Sequence, residues 1–199
     1  MTDARTLWDW RRRVADMYAA VRAAPEPAAA WERWRTVRDG LFHVHPQTPL
    51  NRGAAAPDYF PYDPAFRFAV LLAPHDGPEQ AFPVGADGDL PMRPFARTEG
   101  LRAALGGELL LYWMAGYAGG TFLPFADATS GRETYGGGRY LLDTAKGADL
   151  GMTPDGRIVL DFNFAYNPSC AYSSRWTCPL SPAGNRLPAA IAAGEKSTP

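Results

Sequence analysis

Apolar residues near the start of the chain recur at three- and four-residue steps. Leu7, Trp10, Val14, Met17 and Val21 fall on one face of a helix, while Arg11, Arg12, Asp16 and Arg22 fall mostly elsewhere. Pro25 and Pro27 end that helix and allow a second to begin. Trp31, Trp34, Val37 and Leu41 repeat the stripe, with Gly40 as the expected stop. The tryptophans of both stripes read as core residues.

The pattern then changes. The run HVHPQTPLNRGAAAPDYFPYDP holds too many prolines for a helix, so residues 42–65 read as an extended crossing segment tacked down by its tyrosines and Phe60. From Phe66 onward the period shortens to two. FRFAVLLA alternates, and Gln80–Val84, Met92–Thr98, Glu108–Trp113, Thr121–Phe125, Arg139–Thr144 and Arg157–Phe164 are further candidate strands. Turns such as HDGPE, GADGD and TPDGR separate them. No alternating βαβ pattern is present, which excludes a doubly wound nucleotide fold. The expected class is α+β. An N-terminal helical pair (1–41) packs on a mainly antiparallel β sandwich or partly open barrel (66–196), within one domain of 199 residues. The tail from Asn185 to Glu195 reads as an edge strand or a short helix, and Ser197–Pro199 as a frayed end.

Charge and composition narrow the function. A formal net charge of −1 gives no broad electrostatic grip on nucleic acid or an anionic membrane. No stretch is apolar enough to span a bilayer, and the N-terminus lacks a signal-peptide pattern. The expected compartment is therefore the cytoplasm, where the two cysteines, Cys170 and Cys178, stay reduced. The chain has no GxxxxGK phosphate loop, no GxGxxG after a strand, no HExxH and no GxSxG. No cofactor is implied; the expected partner is a small molecule.

Three stretches remain as candidate chemistry. His43 and His45 would share one face of a strand, as a metal pair requires, but no nearby acid completes a triad. The stretch FADATSGRETYGGGRYLLD places Thr134 and Tyr135 before three glycines, with Arg139 and Tyr140 after them. Peptide N–H groups at Gly137 and Gly138 beside a guanidinium would hold a carboxylate or phosphate; the competing reading is a bulged hairpin with a surface arginine. In VLDFNFAYNPSCAYSSRWTC, strand alternation puts Asp161 and Asn163 on one face, and Tyr166 and Asn167 precede a proline turn. Asp161 is either cavity-facing or the buried partner of Arg139. Cys170 and Cys178 lack CxxC spacing and stay open to four roles: structural thiols, a disulfide, metal ligands or a nucleophile.

With these stretches in the order HPQTPL, YFPYDPAFRF, LPFADATSGRETYGGGRYLLD, LDFNFAYNPSCAYSSRWTCPLSPAGNRL and AGEK, the chain resembles a bacterial family with no assigned activity, domain of unknown function 1684. The resemblance spans most of the chain. It covers His45, Pro46, Arg67, Asp127, Thr134, Tyr135, Arg139, Tyr140, Asp161, Asn163, Tyr166, Asn167, Cys170, Cys178, Asn185 and Glu195. It departs at Gly184, where the family commonly carries an acid. The resemblance implies a shared pocket and supplies no reaction.

The leading expectation is a small-molecule pocket in the mouth of the β body. Arg139, Asn163 and Asn167 would fix an anionic or amide-bearing ligand, and Tyr135, Tyr140 and Tyr166 would form aromatic walls, with Tyr135 and Tyr140 as proton donors in any catalysis. Asp127 or Asp161 would be the base if the pocket is catalytic. One alternative is a non-catalytic binding or interaction module with the tryptophan-rich helices as its interface. Another is a metal site built from Cys170, Cys178 and His43 or His45.

Overall fold

In the computed structural model, which describes residues 3–51, 53–117 and 119–197, the two apolar stripes become two helices. α1 spans Ala4–Ala23, and the Asp3 carboxylate caps it by accepting from the Arg5 N–H at 3.0 Å. α2 spans Pro27–Val44 and opens on a proline, where no amide donor is needed. Its end corrects the sequence expectation. The helix runs through Gly40 because Leu41 and Phe42 beyond it are buried, and it stops before Pro46, which disfavours helical backbone at His45. The extended segment thus starts at His45. Its anchors are the expected ones: Tyr59 and Phe60 are buried, and the Phe60 N–H donates to the Gly194 carbonyl at 3.0 Å.

The strands are β1 Arg67–Pro74, β2 Gln80–Pro83, β3 Asp89–Glu99, β4 Leu110–Met114, β5 Gly120–Phe125, β6 Arg139–Asp143 and β7 Ile158–Asp161. All pair antiparallel in the order β6-β5-β4-β3-β1-β7, with β2 added on β3. This single sheet curls into a nearly closed barrel and replaces the sandwich alternative. β3 shows the cleanest alternation, with Met92, Ala96 and Thr98 buried and Arg93, Phe95 and Arg97 exposed. Pro94 and Pro124 sit where the pairing register shifts, the positions at which a strand tolerates a missing donor. A short helix, α3 (Arg102–Leu105), missed in the sequence, joins β3 to β4.

The barrel closes between β6 and the segment after β7. Tyr140 and Tyr166 exchange both backbone hydrogen bonds, at 2.8 and 3.1 Å. The helical pair lies beside this seam. Met17, Tyr18, Val21, Trp31 and Trp34 pack with Ala148, Leu150, Val159 and Phe164. A separate cluster that includes Leu109, Leu111, Leu123, Phe125, Leu160 and Phe162 forms the core of the sheet.

Two further expectations are corrected. β7 ends at Asp161, and Phe162–Phe164 form a 3-10 turn capped by the Asp161 carboxylate, so Asp161 and Asn163 do not share a strand face. The tail is neither a strand nor an α-helix. After one 3-10 turn at Ala183–Asn185 it runs as an irregular strap. Of the expected frayed end, residues 198–199 lie outside the described residues. Among the described residues, no helix is long and apolar enough to cross a membrane.

Candidate functional site

The triple-glycine stretch and the segment up to Cys170 do meet, but Arg139 and Asn167, expected to grip a ligand, bond to the tail instead. Arg139 is 0% exposed. Its guanidinium donates to Asp127 Oδ2 at 2.9 Å, to the carbonyls of Ile191 at 3.0 Å and Glu195 at 3.3 Å, and to that of Ala193. Asp127 Oδ1 accepts from the Thr129 N–H at 2.7 Å, the Thr129 hydroxyl at 2.6 Å and the Ile191 N–H at 3.2 Å. The Thr134 hydroxyl pairs with that of Thr129 at 2.8 Å. Arg139, Asp127 and Thr134 therefore form a closed clamp on the strap. This corrects the reading of Arg139 as ligand anchor and of Asp127 as base, since both terminal nitrogens of the guanidinium and both oxygens of the carboxylate are bonded inside the fold, with Arg139 Nε alone left without a partner.

The glycines serve the same clamp. Gly138 has φ +87°, and a Cβ there would lie 2.5 Å from the Phe125 carbonyl oxygen and 2.7 Å from Ser181 Cβ. The Gly137 carbonyl accepts from the Ser181 N–H at 3.1 Å, and the Gly138 N–H donates to the Tyr135 carbonyl at 3.0 Å. Backbone approaches backbone here, not ligand. Gly138→Ala is expected to destabilise the fold by about 2–4 kcal/mol, from the left-handed backbone and the overlap together. A shift of the urea midpoint measures it.

Asp161 belongs to a second internal staple. Fully buried, it accepts from Arg67 Nη1 at 3.2 Å, the Tyr62 hydroxyl at 3.3 Å, the Asn163 N–H at 3.0 Å and Asn163 Nδ2 at 2.7 Å. Its ion-pair partner is thus Arg67, not Arg139. Asn163 also accepts from the Asp63 N–H and donates to the Asp63 carbonyl, at 2.9 and 2.8 Å. Burial pushes the Asp161 carboxyl up, against the hydrogen bonds from Asn163 and Arg67.

Tyr140, Tyr166, Asn167 and Cys178 do come together, along one cleft of about 300 Å³ beside the seam. Trp10, Val14 and Met17 of α1, Phe42 of α2, and Tyr172 and Trp176 of the following loop complete its apolar walls. Arg11, Arg38 and Lys146 also line it, and among the described residues no Asp or Glu does. Arg38 crosses the floor. Its Nε donates to Glu195 Oε1 at 2.5 Å, and its guanidinium lies 4.4 Å from the Phe42 ring centroid and 5.0 Å from that of Tyr166. Against a burial penalty, the Glu195 carboxylate holds the Arg38 guanidinium above its usual range. Fully buried Glu195 also accepts from the Asn167 N–H at 2.6 Å and from the Tyr172 hydroxyl. Lys146 Nζ sits 2.7 Å from Asp143 Oδ2. Burial pushes the phenols of Tyr140, Tyr166 and Tyr172 up, so all three are neutral at physiological pH. The Tyr140 hydroxyl is committed to the Pro179 carbonyl at 2.6 Å.

Tyr135 stands apart from this lining, its hydroxyl 3.6 Å from Cys170 Sγ. The metal reading is corrected by α2. His43 is exposed on its last turn, whereas His45 is buried, 3.2 Å from Asp9 Oδ2, with Nδ1 accepting from the Gln47 N–H at 3.1 Å. Among the described residues, no three His, Cys, Asp or Glu side chains gather as a metal site would need. Arg38, Lys146, Tyr172 and Trp176 were not singled out in the sequence. Arg38 had a signal: it lies four residues from both Trp34 and Phe42, a charge on an otherwise apolar stripe.

Residues 55–196 match the family described as "Protein of unknown function (DUF1684)". A solved structure is also similar, the solution NMR structure of an uncharacterized protein from gene locus rrnAC0354 of Haloarcula marismortui. It is 30% identical, with a TM-score of 0.56, over 84% of this chain and 92% of that one. No curated protein matches the chain.

Proposed function

The chain belongs to the DUF1684 family, and from that premise, which carries no chemistry, we propose that the protein binds a small, largely apolar organic anion in the cleft between its helical pair and its barrel. The observation that carries this reading is the lining: apolar and aromatic walls with, among the described residues, three cations and no carboxylate. Glu195 and Asp143 offset Arg38 and Lys146 from behind, while Arg11 makes no ion pair among the described residues. The remaining field is positive and selects a negative group, and the rings offer a stacking surface for the body of the ligand. The volume is at the lower end of the range for small-molecule sites, about 300–1,000 Å³. Of the anionic or amide-bearing ligand expected from the sequence, the anionic arm is kept; its anchor moves from Arg139 to α1, α2 and Lys146. Of the residues expected for catalysis, Asp127, Asp161 and Tyr135 do not line the cleft and the Tyr140 hydroxyl is held by the Pro179 carbonyl, so the reading is one of binding. It favours the cytoplasm, where both thiols stay reduced.

A charged and a neutral probe of similar shape test this. Anilinonaphthalene sulfonate is expected to bind at one site, and neutral phenylnaphthylamine about tenfold more weakly. Arg11→Glu combined with Lys146→Glu removes the preference, and Val14→Trp blocks both probes by filling the cleft. Equal affinity of the two probes for the unmodified protein would contradict an anion site.

A further inference from the structure

We propose that Cys170 and Cys178 form a peroxide-responsive thiol pair that closes to an intramolecular disulfide. Both cysteines are free and only partly buried, so a small oxidant reaches them. The 3-10 turn Ser169–Ala171 carries Cys170, and its N–H donates to Cys178 Sγ at 3.4 Å. The backbone of one cysteine thus already touches the sulfur of the other.

The two sulfurs are not equivalent. A thiolate at Cys170 has two donors within reach: the Tyr135 hydroxyl, 3.6 Å from its Sγ, and the thiol of Cys178, whose sulfur already accepts from the Cys170 N–H. Two donors on one sulfur stabilise its thiolate, and its pKa is lowered to about 6, chiefly by the Cys178 thiol and against burial. The Cys178 thiol is pushed up by the same hydrogen bond and by burial. Tyr135 is raised to about 12, by burial first and then by its bond to Cys170, so it stays a donor. This asymmetry separates an attacking sulfur from a resolving one.

The chemistry balances with peroxide as oxidant. The Cys170 thiolate attacks one peroxide oxygen, the O–O bond breaks, and the sulfur becomes a sulfenic acid while hydroxide leaves and takes a proton. Cys178 then loses its proton and attacks the sulfenic sulfur. The S–O bond breaks, the S–S bond forms and a second water leaves. Two thiols lose two electrons and one peroxide becomes two waters. Cys178 also lines the cleft, but the oxidation does not depend on the ligand reading.

The test uses the full chain, reduced and then treated with hydrogen peroxide under native conditions. The expected result is a loss of about 2 Da in intact mass, a peptide linking the two cysteines, and full reversal by dithiothreitol. In Cys178→Ser, whose hydroxyl keeps a donor at the site, dimedone traps a sulfenic acid at Cys170. That thiol also alkylates about tenfold faster than free cysteine at neutral pH. Cys170→Ser shows no trapping. Circular dichroism of each variant confirms that it is folded. Two thiols that stay free under peroxide in the native protein, or trapping confined to Cys178, would overturn the proposal.

Discussion

Arg139→Met lowers the stability of the protein by about 3–5 kcal/mol, the cost of stranding one member of a buried ion pair. The guanidinium has four acceptors, all internal: one carboxylate oxygen and three strap carbonyls. Methionine fills much of the space and satisfies none of them. It leaves Asp127 charged in the interior, and strap carbonyls without a donor where no water reaches. Arg139→Lys recovers only part of the loss, because a single ammonium cannot reproduce a planar fork aimed at several oxygens. Adding Asp127→Leu to Arg139→Met restores part of the deficit, since the stranded charge is gone. Urea denaturation of the four proteins measures this. A loss below about 1 kcal/mol for Arg139→Met would instead fit an arginine that faces solvent or ligand.

Glu195→Ala has an effect of similar size, about 3–5 kcal/mol by the same logic. Glu195 is fully buried and joins α2 through Arg38, the loop after β7 through the Asn167 N–H, and Tyr172 through its hydroxyl. Alanine leaves the Arg38 guanidinium among the rings of Trp34, Phe42 and Tyr166 with no counter-ion. Glu195→Gln keeps the shape and removes the charge, and it carries a second signature. With the offsetting carboxylate gone from behind Arg38, the cleft becomes more positive. Glu195→Gln therefore loses stability yet binds anilinonaphthalene sulfonate more tightly than the unmodified protein. Chemical denaturation and a fluorescence titration of this one variant separate the two effects. Unchanged or weaker probe binding would detach Arg38 from the proposed site.

The elements that were legible in the sequence are those with a period. The stripe Leu7, Trp10, Val14, Met17 and Val21 became α1, and the alternation of Met92 to Thr98 became part of β3. The strap had no such pattern. Arg139 reaches its carbonyls at the alternate residues Ile191, Ala193 and Glu195, and backbone carbonyls leave no trace in side-chain hydrophobicity. The same blindness moved the site. A guanidinium beside glycines and a carboxylate is what an anion site needs, and also what a buried strap needs. Local sequence does not tell the two apart. The cleft draws on residues from α1 to Pro179 and exists only after the helical pair docks beside the barrel seam. Of its polar floor, Asn167 was identified from its own surroundings; Arg38 becomes meaningful only once Glu195 lies against it.

The six tryptophans allow a residue-resolved check of where a ligand sits. Trp10 and Trp176 line the cleft, Trp31 and Trp34 are buried under the helical pair, and Trp8 and Trp113 are 63% and 49% exposed elsewhere. Their indole N–H signals can be followed by two-dimensional NMR as anilinonaphthalene sulfonate is added. A cleft site predicts saturable shifts of Trp10 and Trp176, with Trp8 and Trp113 unmoved. Shifts at Trp113 or Trp8 while Trp10 and Trp176 stay in place would contradict it.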